Sequence, residues 1–300
     1  MLTIIIPYYK ISFFKETLQS LERQTCKNFK LFIGNDASPE NPENLIKETL
    51  KTTAFNYKEY TENFGFQNLV KQWERCIQDC GITEWFQILG DDDVISENFV
   101  KEFYNNIEVI DSERSNVIKY SQRWIDESGK PFKEYSVQPK LLSALENWKE
   151  KYIKGQRSSL SEHIFRKSAY EKVKFRHFPL AWGTDDLAVF EISGTAPVYF
   201  ISDAKVEVRI SSQSISGSGE LYLEKQRHAI SFETYFINKY HQQLPKEFIS
   251  DKINQQINFA FHHRYSDLKL NLVKYYWHLG EFKKLAKLPF IYFNLILKRL

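Results

Sequence analysis

Within its first 110 residues the chain alternates short β-branched apolar runs with amphipathic stretches of helical spacing. Leu2–Ile6 is continuous, apolar and stopped by Pro7, the pattern of a strand buried on both faces. Ser12 then offers an N-cap to a helix with Phe14, Leu18 and Leu21 on one side. Phe29–Ile33 is a second buried strand, closed by the turn signal Gly34-Asn-Asp-Ala-Ser-Pro39. Leu45, Ile46, Thr49 and Leu50 mark another helix, and Asn56–Tyr60 a third strand. Phe66, Leu69, Val70, Trp73 and Ile77 fall at helical spacing. Trp85–Leu89 is a strand that runs into Gly90-Asp-Asp-Asp93, and Ser96 with Glu97 starts a helix bearing Phe99, Val100, Phe103 and Ile107. Strands alternating with helices of about ten residues mean βαβ units, so the expected fold is an α/β sandwich around a mostly parallel sheet.

From Val117 to about Ser216 the pattern loosens into short strands, aromatics and turns, and from Gly217 onward it reads as helical. The expected domains are therefore 1–216, a catalytic α/β domain, and 217–300, a helical extension. Charge follows the same division. Arg264 to Leu300 carries eight Lys/Arg against two Asp/Glu, which leaves the preceding 263 residues at −3 within a total of +3. An acidic body argues against a nucleic-acid partner. Cys26, Cys76 and Cys80 have no second Cys/His pair at zinc-site spacing, which favours reduced core thiols. The first residues read as a strand without a basic leader, and no stretch reaches the roughly 20 apolar residues of a spanning helix, so a cytoplasmic protein is expected.

Ligands of a parallel sheet bind beyond the carboxyl ends of its strands. Three loops here leave such ends, after Ile6, Ile33 and Leu89, and each is polar. Asp91, Asp92 and Asp93 at a buried strand end repel one another unless a cation neutralises them, and hard oxygen ligands suit Mn²⁺ or Mg²⁺ shared with substrate phosphates. The alternative is a solvated turn before the next helix. Asp36, with Asn35 and Ser38, can accept a hydrogen bond from a base N–H, or can form an ordinary Asx turn before Pro39. Asp185 and Asp186 sit where a helix starts at Thr184, so they either cap it or supply a general base. In the second case Trp182 beside them would supply a stacking platform for an acceptor sugar.

These residues in this order resemble the family 2 glycosyltransferases with the GT-A fold. The likeness covers about Met1 to Ser216 and runs through Ile4-Ile-Ile-Pro-Tyr-Tyr9, Ser20-Leu21 with Gln24-Thr25, Asn35-Asp-Ala-Ser38, Glu62-Asn-Phe-Gly65, Asp91-Asp-Asp93, Thr184-Asp-Asp186 and Arg209…Ser214-Ile-Ser216. The resemblance implies a cell-surface polysaccharide enzyme that takes a sugar from a nucleotide-sugar, UDP by default, to a glycan or lipid-linked acceptor. It implies that Pro7 and Tyr8 line the nucleotide pocket with Asn35, Asp36, Ser38, Asn63, Gly65 and Asp91. Asp91–Asp93 would be the D-x-D metal element, with Asp92 and Asp93 the favoured ligands. Asp186 would be the base, with Asp185 in the family's Glu position, and Arg209 would fall in the mobile segment over the diphosphate. The chain departs from the pattern at Asn35, at Ala37 where the family has glycine, and at Gly90 before the acids.

Two rivals stand beside this reading. A nucleotidyltransferase needs a Gly-rich loop near the first strand, which Pro7-Tyr-Tyr-Lys-Ile-Ser12 lacks; a non-catalytic carbohydrate-binding homologue needs no second acidic pair. The tail interleaves aromatics such as Trp277, Phe282, Phe290 and Phe293 with Lys283, Lys284, Lys287, Lys298 and Arg299. That pattern fits either a peripheral membrane contact or a helix packed on the catalytic domain.

Overall fold

The structure, a computed structural model, describes residues 1–65, 68–214, 217, 219, 222–263 and 272–297. Phe66, Ile215, Ser216, Arg264, Lys298 and Arg299 lie outside the described residues. Two compact units are present, Met1–Tyr222 and Leu223–Leu300.

The first unit begins with β1 (Leu2–Tyr8), α1 (Phe14–Glu22), β2 (Phe29–Asn35), α2 (Glu43–Thr49), β3 (Phe55–Glu59), α3 (Leu69–Asp79), β4 (Trp85–Ile88), the short β5 (Val94–Ile95) and α4 (Phe99–Ser112). It continues through β6 (Val117–Ile125), β7 (Pro131–Glu134), β8 (Leu141–Leu142), α5 (Ala144–Tyr152), β9 (His163–Arg166), α6 (Lys167–Val173), α7 (Thr184–Ser193) and β10 (Val198–Arg209). The described strands form one sheet in the order β3-β2-β1-β4-β9-β6-β10-β5. β3, β2, β1 and β4 are parallel, β9 runs antiparallel between β4 and β6, and β6 is parallel to β10.

The period of two along β1 divides the core. Leu2, Ile4, Ile6 and Tyr8 face Phe14 and Leu18 of α1 and Phe99 and Phe103 of α4. Ile5 faces the other way, with Val70, Trp73, Cys76 and Ile77 of α3. Both faces are covered, which is why this strand has no polar alternation. Cys76 and Cys80 are buried free thiols whose pKa values burial raises to about 12 and about 11, as expected of core cysteines.

Two expected helix starts move. α1 begins at Phe14 without a side-chain cap, because the Ser12 hydroxyl instead donates to Gln213 Oε1 at 3.1 Å. α4 begins at Phe99, because Ser96 Oγ accepts the Lys205 N–H of β10 at 3.0 Å. In both cases a tertiary partner outcompetes the local cap.

The second unit holds α8 (Tyr222–Tyr240, mostly within it), α9 (Lys246–His263), α10 (Leu272–Leu279), α11 (Phe282–Ala286) and α12 (Leu288–Leu297). Its buried residues include Ile237, Ile249, Ile253, Leu272 and Tyr275. Among the described residues no helix is long and apolar enough to cross a membrane.

Candidate active site

The loops after β1, β2 and β4 are hydrogen-bonded to one another at one edge of the sheet. Asp36 N–H donates to Tyr8 O at 3.0 Å, and the Ser38 hydroxyl donates to Tyr9 O at 2.6 Å. The backbone N–H groups of Tyr9 and Lys10 donate to Asp91 Oδ2 at 2.7 and 2.8 Å. Pro7 lies inside β1, opposite Gly34 of β2.

Within the second loop the labour divides differently from the sequence reading. Asn35, not Asp36, makes the Asx turn: its Oδ1 accepts the Ser38 N–H at 2.9 Å. Asp36 is buried, and its carboxylate reaches across to accept the N–H groups of Phe64 at 3.0 Å and Gly65 at 3.1 Å, with Arg75 of α3 paired to it. The Asn63 amide closes the clamp by donating to Asp36 O at 2.7 Å. Asp36 therefore ties the 62–65 loop to the end of β2. Ala37 beside it has φ 50°, a left-handed conformation that explains why a glycine suits this position in relatives of the motif.

The three adjacent acids are held unequally. Asp91 is fixed by the two backbone donors of the first loop. Asp93 is buried; its Oδ1 accepts the Arg209 N–H at 2.9 Å and its Oδ2 accepts the Ser161 hydroxyl. Asp92 receives no hydrogen bond from another residue's side chain among the described residues. Burial, and then the charges of Asp93 and Asp91, hold its carboxyl well above the usual carboxylate range. Burial also raises Asp91, against the Lys10 and Tyr9 N–H groups, and pushes Asp93 up to about 6. A Cβ at Gly90 would lie 2.9 Å from Asp93 Oδ2 and 3.0 Å from Asp92 Oδ1, so any other residue here would have to displace these carboxylates.

Arg209 is the last residue of β10 rather than part of the segment that follows it. Its side chain is fully buried, donating to the carbonyls of Asp92 (3.1 Å) and Asp126 (2.8 Å) and pairing with Glu16. In this structure it is a strut under the acidic turn.

The second acidic group opens α7. Leu180, Ala181 and Gly183 all have positive φ (57°, 52° and 77°), so the chain makes a tight left-handed approach before the helix starts at Thr184. Trp182 sits half-buried inside that turn. Asp186 is gripped: Lys151 Nζ of α5 lies 2.6 Å from both carboxylate oxygens, and the Tyr152 hydroxyl donates to Oδ2 at 2.6 Å. Asp185 has no such partner among the described residues, and burial, with the Asp186 charge added, raises it to about 7 against the pull of Lys151.

Residues 158–163 join the two groups. The Ser161 hydroxyl donates to Asp93 and accepts the Gly90 N–H at 3.1 Å, while Ser158 O accepts from Lys151 Nζ at 3.0 Å. Glu162, buried beside Ser161, raises both Asp93 and Asp185 by its charge. Sequence reasoning missed Lys151, Tyr152, Ser161 and Arg75. One signal was available: Ser143-x-x-Glu146 is a capping box, and its reciprocal bonds open the helix that carries Lys151 and Tyr152.

Among the described residues no three His, Cys, Asp or Glu side chains converge as a dedicated metal cage. A hard cation that takes one or two carboxylates plus substrate phosphates needs no such cage. The unsatisfied, proton-hungry Asp92 fits that kind of donor.

The chain matches the model of glycosyl transferase family 2 over residues 3–174 and belongs to that family; it is a glycosyltransferase. The match contains the Asp91–Asp93 turn and ends before Asp185. Similar solved structures include S. aureus TarS 1–349 in complex with UDP-GlcNAc, at 15% identity and TM-score 0.60, covering 91% of this chain and 77% of that one. The same TarS fragment in complex with UDP is similar at 15% identity and TM-score 0.57, covering 92% and 77%. GalNAc-T7 with UDP, GalNAc and Mn²⁺ is similar at 12% identity and TM-score 0.54, covering 84% and 54%. These likenesses establish the GT-A fold. No curated protein sequence matches the chain.

Proposed function

We propose that the enzyme transfers a sugar from a UDP-sugar to a glycan or lipid-linked acceptor by a single, inverting displacement, in the building of a cell-surface polysaccharide on the cytoplasmic side of the membrane. The observation that carries this is the Ser158–His163 link, which joins a turn of three adjacent carboxylates at the β4 end to a second acidic pair at the start of α7. The nucleotide would lie against Pro7, Tyr8, Asn35, Ser38 and the Asp36 clamp with Asn63 and Gly65. Asp36 keeps lone pairs for a base N–H while holding the 62–65 loop.

A Mn²⁺ or Mg²⁺ ion held by Asp92, with Asp91 or Asp93 beside it, would offset the charge that grows on the departing diphosphate. The residues do the rest. Tyr9 and Lys10 N–H groups, Ser161 and Arg209 hold the flanking acids still, so the turn is preorganised. Trp182 presents a face to the acceptor sugar. The acceptor oxygen forms the new bond to the anomeric carbon as its proton passes to an Asp186 oxygen, and the electron pair of the broken bond leaves with the diphosphate. TarS in complex with UDP-GlcNAc supports a nucleotide-sugar donor, and GalNAc-T7 with UDP, GalNAc and Mn²⁺ supports a divalent ion.

The tail supports a peripheral membrane contact: Trp277, Phe282, Phe290 and Phe293 are 67, 57, 69 and 59% exposed, beside Lys283, Lys284 and Lys287. Exposed aromatics among lysines match an anionic lipid interface. Replacing Phe290 and Phe293 by Ser should abolish co-sedimentation with anionic liposomes; unchanged binding would end that part of the reading. For the chemistry, UDP-sugars screened with Mn²⁺ should reveal one that is turned over. Asp186→Asn should then bind that donor normally but lose turnover by at least about 10³-fold, and normal turnover would remove Asp186 from the role.

A further inference from the structure

An acidic pair with one cation beside it poses a question of charge that the hydrogen bonds answer. Lys151 has three N–H donors, and all three are spent: one on each oxygen of Asp186 at 2.6 Å and one on Ser158 O at 3.0 Å. The neighbouring Tyr152 hydroxyl adds a fourth donor to the same Asp186 carboxylate. None of these donors goes to Asp185, whose carboxylate takes the backbone N–H of Asp186 and, among the described residues, no side-chain hydrogen bond. We propose that Lys151 is the positioning residue that assigns the negative charge of the pair to Asp186 and leaves Asp185 to carry the proton. This rests on the reading of Asp186 as the group that accepts the acceptor's proton.

The surrounding charges leave that assignment in place. From β6, Lys119 is buried and donates to Asn147 Oδ1 at 3.4 Å, and burial lowers its pKa. From the segment before β9, Glu162 accepts the Ser159 N–H at 2.7 Å. His163 is buried with Nδ1 2.7 Å from Ser159 O, and burial lowers it to about 4, so it is neutral at physiological pH. From α5, Glu150 is taken by Lys154 at 2.6 Å. Burial works against the Lys151 ammonium, but Asp186 and Asp185 outweigh it and raise its pKa. Of these cations, Lys151 alone bonds the pair. The consequence for the reaction is concrete. A carboxylate that is ionised and aimed by Tyr152 can take a proton, whereas a protonated neighbour cannot compete for it. Two adjacent ionised acids would also draw a cation into the wrong place; a singly charged pair already matched by Lys151 does not.

The test needs no substrate. Full-length protein labelled with ¹³C at the Asp carboxyl carbons is titrated by NMR from pH 5 to 9, with assignments from Asp185→Asn and Asp186→Asn. The resonance lost in Asp185→Asn should titrate near pH 7, while that lost in Asp186→Asn keeps its ionised position throughout. In Lys151→Met, or in Lys151→Gln should the first variant fail to fold, the Asp186 resonance should begin to titrate within the same range; Lys151→Arg should restore the original pattern. A wild-type titration near pH 7 that belongs to Asp186, two carboxyls ionised across the whole range, or an Asp186 signal indifferent to loss of Lys151 would each overturn the assignment. Its failure is distinguishable from failure of the base reading, which is judged separately by turnover of the screened UDP-sugar in Asp186→Asn.

Discussion

The two acidic groups of the site are built on opposite electrostatic plans. In the 91–93 turn the protein answers carboxylates with neutral donors: the backbone N–H groups of Tyr9, Lys10 and Arg209 and the Ser161 hydroxyl. Two cations flank the turn without a hydrogen bond to these carboxylates among the described residues: the Lys10 charge draws Asp91 and Asp92 down while its ammonium bonds Gln213 O, and the Arg209 guanidinium pairs with Glu16. Dipoles orient charge without cancelling it, so this turn retains a demand for a cation from outside. At the head of α7 the protein supplies its own cation, Lys151, in direct contact with Asp186. That pair has no such demand. The difference teaches which group is suited to a metal ion and which to a proton, a distinction invisible in two runs of aspartates.

The comparison can be broken most decisively at its unsatisfied member. Asp92→Asn should lower turnover by about 10²–10³-fold and abolish Mn²⁺ binding measured by calorimetry in the presence of UDP, while the same substitution at Asp185 leaves Mn²⁺ binding intact. Equal loss in both variants would mean that the two groups share the ion. Ser161→Ala removes a neutral donor from Asp93 and frees the Gly90 N–H; Mn²⁺ affinity should fall roughly 10-fold, with Ser161→Thr restoring it.

The third test uses pH. Asp185 titrates at about 7 in the folded chain, well above its unfolded value, so the folded state holds the extra proton between roughly pH 4 and 7. This group therefore contributes stability that is present at low pH and lost as pH rises through 7. Asp185→Asn should raise the melting temperature at pH 8 relative to wild type and change it less at pH 5; an effect equal at both pH values would contradict the shift. The smallest effect is at Ala37, where φ is 50°. Ala37→Gly should stabilise the fold by about 0.5–1 kcal/mol in denaturant unfolding, since glycine adopts that conformation without the Cβ penalty.

How much of this was readable beforehand follows from the range of the interactions. β1 and the Asp91–Asp93 turn were legible because a buried strand is an apolar run and its end is marked by polar residues next in sequence. The start of α7 at Thr184 was legible for the same local reason. Lys151 was not, because it meets Asp186 across 35 positions, and nothing in a lysine near the end of one helix specifies the acid it will face. Arg75 meets Asp36 across 39 positions and turns an apparent Asx-turn residue into a clamp on another loop. Ser12 and Ser96 show the converse error: both look like caps, and both were taken by partners from β10 and the segment after it.

The most direct test of the account is a crystal structure with UDP and Mn²⁺, with the ion located by its anomalous signal. One Mn²⁺ peak is expected on the Asp92 carboxylate, bridging to the diphosphate, with Lys151 still bonded to Asp186. An ion seated on Asp185 or Asp186, or a diphosphate bound away from the 91–93 turn, would contradict it.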